Sequence, residues 1–447
     1  MRFPEGFVWG AASSAIQIEG SPRADGGGES VWDRFAAQPG KIAGGETPEI
    51  ACDAYARFEE DVELLARMGL GAYRFSTSWA RVDPLGDGNW NEAGVDFYLR
   101  VVDACLKRGV EPYVTLHHWE LPQALQDAGG WQNPETARAF ARFAGMMSAR
   151  LRGRVRRYFT LNEPQCILAL GHQSGVHAPG LRLSQDEIFA CWKQLMRAHG
   201  LAMRAIKEAD GDAEVGIATT GRLCYPATAA DVAAAARASF RLTDEDWLFA
   251  HNLALDAVCF GRLEPDAGTH LAELASAVSP EEWAEMRCPP DFIGANIYNG
   301  SCVQDDGAGG ERYLPRDVGF PRTALKWPVT ERVMNDGVCQ LYARYRLPIY
   351  ISENGLSCND KIYLDGQVHD LDRIDFLARY LFNLREAARH VDLRGYFHWS
   401  LTDNFEWHSG YAERFGLIYI DYPTQKRILK DSARWYARIA ATNGELL

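Results

Sequence analysis

Two glutamates in this chain close short β-rich runs: Glu163 in Thr160-Leu161-Asn162-Glu163-Pro164, and Glu353 in Ile349-Tyr350-Ile351-Ser352-Glu353-Asn354-Gly355. Two carboxylates brought to one site can divide the work of breaking a glycosidic bond, one protonating the leaving oxygen while the other attacks the anomeric carbon. Taken singly, each reads as a strand-end residue that caps a helix or pairs with Arg74. The joint pattern carries more. Asn162, Asn296, Gln17 and His118 fall near the ends of β-rich runs and supply donors for sugar hydroxyls, while Trp119, Trp399 and Trp407 supply flat faces for a pyranose ring. Beyond His398-Trp399-Ser400-Leu401, Asp403, Asn404, Glu406 and Trp407 follow in quick succession.

Side chains so far apart in sequence converge only if their elements open at a common face. Short β-rich runs alternate here with long amphipathic ones, the pattern of parallel strands joined by helical crossovers. Eight strands are expected, at residues 7–12, 72–76, 112–117, 158–162, 215–219, 292–298, 349–353 and 395–401. Ala51, Tyr55, Phe58, Val62 and Leu65 advance by threes and fours along one helical face that Gly69 should end, and Ile374, Leu377, Leu381, Leu384 and Ala388 do the same. Asn133-Pro134-Glu135 reads as an N-cap, a first-turn proline and an acidic first turn. The glycines at 26–28 and 307–310 read as loop insertions.

No Ser/Pro/Gly-rich linker divides the chain, and no solenoid repeat is visible. An open doubly wound sheet would carry a glycine fingerprint after its first strand, where this chain has Ser13-Ser14-Ala15-Ile16. The expected fold is therefore α/β: a single (β/α)8 TIM barrel over residues 1–447, one domain, with its active site at the C-terminal ends of the strands.

With 47 Lys+Arg against 60 Asp+Glu, the formal charge of −13 argues against phosphate backbones and anionic lipid as partners and suits a small neutral ligand. The ten cysteines are scattered, none at the spacing of a zinc or redox site, and read as reduced and mostly buried. No metal or cofactor is expected. No apolar run reaches the ~18 residues of a membrane span, and the first residues lack a secretory pattern, so a cytoplasmic location is expected. Homo-oligomerisation stays open.

The sequence resembles the β-glucosidases of glycoside hydrolase family 1 over nearly its whole length. The likeness runs from Phe7-Val-Trp-Gly-Ala-Ala-Ser-Ser-Ala-Ile-Gln-Ile-Glu-Gly to Arg414-Phe-Gly-Leu-Ile-Tyr-Ile-Asp421. Between them lie Ala72-Tyr-Arg-Phe-Ser-Thr-Ser-Trp79, Val114-Thr-Leu-His-His-Trp-Glu-Leu-Pro122, Leu161-Asn-Glu-Pro164, His177-Ala-Pro-Gly180, Asn296-Ile-Tyr298, Ser352-Glu-Asn-Gly355 and Asp403-Asn-Phe-Glu-Trp407. The resemblance implies that Glu163 is the general acid/base and Glu353 the nucleophile, with Arg74 and Tyr298 holding Glu353. It further implies that Asn162 bonds the sugar 2-hydroxyl, that Gln17, His118 and Glu406 bind outer hydroxyls, that Trp399 lies beneath the ring with Trp407 at its edge, and that Trp327 lines the aglycone side. Gln165, His117, His408 and Asn299 depart from the common family pattern, and most of these positions border the site.

The reaction so implied is hydrolysis of terminal β-D-glucosyl residues, with galactosyl or fucosyl residues as further candidates, through a covalent glycosyl-enzyme and with net retention. Its partner is a small β-glucoside or oligosaccharide. Rival readings are a 6-phospho-β-glycosidase and a catalytically silent carbohydrate-binding barrel. An aldolase or isomerase would want a strand-end Lys or a metal set, and no expected strand end carries a Lys.

Overall fold

The computed structural model describes residues 2–447. Eight strands are found where the hydrophobic runs place them: β1 (Val8–Ala12), β2 (Ala72–Ser76), β3 (Glu111–His117), β4 (Arg157–Asn162), β5 (Glu214–Thr220), β6 (Phe292–Asn296), β7 (Ile349–Asn354) and β8 (Leu393–Trp399). All pair in parallel around a closed barrel in the order β1-β8-β7-β6-β5-β4-β3-β2. Closure comes from β1, whose Val8 to Ala12 register with Gly395 to Trp399 of β8 on one side, while its Gly10 to Ala12 register with Ala72 to Arg74 of β2 on the other. This is a TIM barrel.

Two strands differ from expectation by two residues, and the others by at most one at either end. β6 ends at Asn296 rather than at 298, and β8 runs 393–399 rather than 395–401. In both places the chain leaves the ladder at the barrel mouth: Ile297 N bonds the carbonyl of Glu353, and Leu401 N that of Ala12. Registers also slip near the C-terminal ends of β4 and β7, so that Glu353 pairs with Asn296 and Asn162 with Ala218. Bulges of this kind re-aim side chains next to a site.

The barrel interior packs Phe159, Phe292, Phe397, Tyr113 and Tyr350 against Ala12, Ala72 and Ala218. Large and small residues alternate because the taper leaves no room for uniform ones. Gly216 shows how tight the fit is, since a Cβ there would stand 2.3 Å from the Phe292 ring. At Gly355, just past Glu353, a Cβ would stand 1.9 Å from the Trp399 carbonyl oxygen, so only glycine lets the ends of β7 and β8 approach.

Around the barrel the helices bury their apolar stripes. The helix Ala54–Arg67 turns Phe58, Val62 and Leu65 inward and stops before Gly69 at φ +69°. Ala51 lies ahead of it, because Ala51 and Asp53 both take positive φ and interrupt any earlier helical turn. The helix Pro134–Leu151 opens as read, with the Asn133 side chain accepting from Glu135 N at 3.0 Å. Leu371–Ala387 carries the second stripe. Residues 307–310 form the turn of an antiparallel hairpin, Ser301–Asp305 with Glu311–Tyr313, rather than a plain loop. All ten cysteines are free, seven of them buried. Among the described residues no helix is long and apolar enough to cross a membrane.

Candidate active site

Arg74 rises from β2 into the barrel mouth and reaches three other strands, one adjacent and two across the barrel. Its Nε donates to Thr115 Oγ1 on β3 at 3.1 Å, Nη2 to Asn162 Oδ1 on β4 at 2.6 Å, and Nη1 to Glu353 Oε1 on β7 at 2.7 Å. The guanidinium lies over the Phe159 ring, 4.8 Å from its centroid, which closes it off from below. The second oxygen of Glu353 accepts from the hydroxyl of Tyr298 at 2.7 Å. Burial pushes the Glu353 carboxyl up, and the adjacent Arg74 charge and the Tyr298 and Asn296 donors oppose it.

Glu163 sits where β4 gives way to a helical segment that opens at Pro164–Cys166 and continues over Ile167–Gln173, and it makes that junction with left-handed φ and ψ of 46° and 63°. A bulky residue held there is strained, which is a common mark of a functional position. Its donors are neutral: Asn296 Nδ2 gives a bond to Oε1 at 2.9 Å, and Cys166 Sγ gives one to Oε2 at 3.3 Å. Burial and then the nearby Glu353 charge push the Glu163 carboxyl up to about 7. Asn296 is itself held by Ser352, whose hydroxyl donates to its Oδ1 at 2.6 Å. Among the described residues the cation bonded directly to a carboxylate here is Arg74, on Glu353, so of the two glutamates Glu353 ionises first and Glu163 keeps the shared proton.

Above these groups lies a cavity of about 640 Å³, bordered by Glu163, Glu353, Asn296, Tyr298, Trp327 and Glu406, among others. Its aromatic wall is continuous. His118 stacks with Trp399 at 5.7 Å and with Trp407 at 5.9 Å, both at 18°, and Trp407 stacks with Trp119 at 4.3 Å. Trp119 and Trp407 also take positive φ, at 79° and 54°. On the opposite side Trp327 packs edge-on against Tyr298 at 5.3 Å.

Every residue expected at the site comes to this mouth, but not all reach the cavity surface. Arg74, Asn162 and Gln17 stand one layer behind it, each fully buried or nearly so. Asn162 accepts from Arg74 and Asn296 through Oδ1 and donates through Nδ2 to His118 Nε2 at 3.1 Å, which keeps one N–H for a ligand. Burial holds His118 well below the usual imidazole range, so the ring is neutral, Nε2 accepts, and Nδ1 carries a hydrogen. Gln17 is more committed: its Oε1 accepts from Ser14, and its Nε2 donates to Asn404 Oδ1 and the Phe405 carbonyl, with Glu406 Oε2 at 3.4 Å. Here it braces the segment that carries Glu406.

Further residues complete the mouth beyond the site residues expected from the sequence. Cys166, His177 and His408 border the cavity, and His177 and His408 share a 3.0 Å hydrogen bond between rings 231 residues apart. Such a separation leaves no sequence signal. Cys166 did leave one, because a residue three places after Glu163 shares its face of any helical turn. Other buried histidines serve the scaffold: His172 and His199 bond backbone carbonyls, and His251 bonds Thr219. No cluster of His, Cys, Asp and Glu suited to a metal is found among the described residues.

A protonated carboxyl and an ionised carboxylate that share one cavity with an aromatic wall and hydroxyl-binding amides can do acid-assisted displacement at an anomeric carbon. Comparison with known proteins points the same way. The β-glucosidase A of Thermotoga maritima is 39% identical over 454 residues, spanning 99% of this chain and 98% of its own. The bifunctional β-D-glucosidase/β-D-fucosidase of Bifidobacterium breve is 36% identical over 468 residues, 99% of this chain and 98% of its own. Among solved structures, the β-glucosidase of T. maritima in complex with glucoimidazole superposes with a TM-score of 0.89 at 39% identity, covering 99% of both chains. The family model described as Glycosyl hydrolase family 1 matches residues 1–445, and the chain belongs to that family.

Proposed function

We propose that this protein is a retaining β-glucosidase, hydrolysing terminal β-D-glucosyl residues of small neutral glycosides by double displacement. Glu353, ionised against Arg74 and Tyr298, attacks the anomeric carbon while Glu163 gives its proton to the leaving oxygen. Formation of the glycosyl-enzyme removes the negative charge of Glu353, so Glu163 loses its proton more easily and serves as base for the incoming water. The observation that carries this reading is the asymmetry of partners: a guanidinium on Glu353, only neutral donors on Glu163. Asn162, His118 and Glu406 hold sugar hydroxyls, Gln17 acts through Glu406, Trp399 and Trp407 line the ring, and Trp119 and Trp327 extend the site outward. No cofactor is required.

Substrate charge argues against the 6-phospho-β-glycosidase reading. The cations near Glu406 in sequence are His408 and Arg414. Burial lowers His408 toward the neutral form, and Arg414 is spent on Asp403 Oδ2 at 2.6 Å and on the Ile420 carbonyl. Arg222, which borders the cavity, is paired with Asp246. The names of the B. breve relative and of the T. maritima complex with galacto-hydroximolactam make fucosides and galactosides the next substrates to try.

The same reading takes residues 1–447 as one catalytic domain, supported by the bond from Phe3 N to the Asn443 carbonyl that ties the ends of the chain together. Ten unpaired cysteines suit a reducing cytoplasm. The deciding experiment is Glu353→Gln assayed on aryl β-glucosides. Folded protein with less than about a hundredth of the parent kcat is expected, and activity above that level on every substrate would remove Glu353 from the nucleophile's role.

A further inference from the structure

Cys166 is hydrogen-bonded to Glu163 and has no place in the chemistry above. Its sulfur lies 3.3 Å from Glu163 Oε2, while Oε1 is taken by Asn296. The contact is built in by the backbone: Cys166 N donates to the Glu163 carbonyl at 2.9 Å, closing the first turn of a helix that opens at Pro164–Cys166 and continues over Ile167–Gln173, and setting both side chains on one face. Cys166 is 8% exposed and borders the substrate cavity. A thiol donates weakly and also accepts weakly, so it can face a carboxyl that is protonated in one half-reaction and ionised in the next.

We propose that Cys166 is a positioning residue for the acid/base, holding Oε2 of Glu163 toward the glycosidic oxygen through its S–H donor and easing the proton's departure. The proposal rests on Glu163 being the acid/base. With Asn296 donating to Oε1, the acid proton belongs on Oε2, the oxygen that Cys166 steers. When that proton leaves, Oε2 becomes a carboxylate oxygen and the S–H bond to it strengthens, as bonds to charged acceptors do. Burial pushes the thiol well above its usual range, so it stays protonated as a donor throughout. Loss of the donor disfavours ionised Glu163, which moves its titration upward.

The test compares Cys166→Ala, Cys166→Ser and Glu163→Gln by pH profiles of kcat/KM on two β-glucosides, one with an alkyl and one with a dinitrophenyl leaving group. Cys166→Ala should move the alkaline limb up by about half a pH unit and lower kcat/KM at neutral pH about threefold for the alkyl glucoside, with little change for the dinitrophenyl one. Cys166→Ser, which restores a donor, should return both toward the parent. An unmoved limb in Cys166→Ala, an equal loss on both substrates, or a serine variant no better than alanine overturns the proposal. Glu163→Gln separates the two levels. If it abolishes the alkaline limb and Cys166→Ala leaves that limb in place, only the role of Cys166 fails; if the limb survives Glu163→Gln, the acid/base assignment fails and takes this proposal with it.

Discussion

Arg74 Nη1 lies 2.7 Å from Glu353 Oε1, and the two side chains are 1% and 4% exposed, so the ion pair is sealed from water. Breaking a buried pair from one side leaves an uncompensated charge and costs about 3–5 kcal/mol. Arg74→Met should therefore lower unfolding free energy by that order, measured by denaturant titration. It should also move the acidic limb of kcat/KM upward, because the guanidinium is what opposes burial at Glu353. An acidic limb that stays in place would detach Arg74 from control of that carboxylate.

Glu163→Ala should discriminate among leaving groups. A dinitrophenyl glucoside departs without protonation in the first step, whereas an alkyl glucoside needs it, so the latter should lose at least ~10²-fold more kcat/KM. Uniform loss across the series would argue against Glu163 as the acid. In the parent protein, NMR of the first-formed sugar should show the β anomer, and an initial α anomer would exclude double displacement.

The raised Glu163 has a consequence for stability. Its folded value of about 7 stands above the ordinary 4.5 of the unfolded chain, so between these values the folded state binds the extra proton. The slope of unfolding free energy against pH is then negative: no penalty at pH 4, a growing one through pH 5–7, and a full one above pH 7 of about 3 kcal/mol. Glu163→Gln should remove it. Thermal melts are expected to show the variant more stable than the parent at pH 8 and equal to it near pH 4.

Matched aryl β-glucoside and 6-phospho-β-glucoside should differ by at least about a hundredfold in kcat/KM in favour of the uncharged sugar, a factor of ~2.7 kcal/mol. Burial and the neighbouring glutamates push the Glu406 carboxyl well up, so it offers a phosphate no cation, and in its ionised form it would repel one at ~4 Å by about 4 kcal/mol at an effective dielectric near 20. A preference for the phosphorylated substrate would reverse this specificity and leave the two-carboxylate mechanism standing.

The sequence by itself determined the barrel and its eight strands, because side-chain alternation and helical periodicity are local properties that survive in a linear string. It also determined the two glutamates, since each ends a strand and strand ends of a closed parallel barrel share one mouth. Only the tertiary structure decided what those residues touch. That Gln17 is committed to the segment carrying Glu406 while Asn162 is left with one N–H depends on hydrogen-bond partners that come from residues up to 389 positions away. The same holds for the division of labour between the glutamates. For Asn-Glu-Pro and Glu-Asn-Gly the sequence offered that division only as what the family resemblance implies; its physical ground lies in space, where Arg74 crosses the barrel to Glu353 while the side-chain donors on Glu163 are the neutral Asn296 and Cys166. Charge and burial act through space, so their effect on a proton becomes legible only when the chain is closed into its barrel.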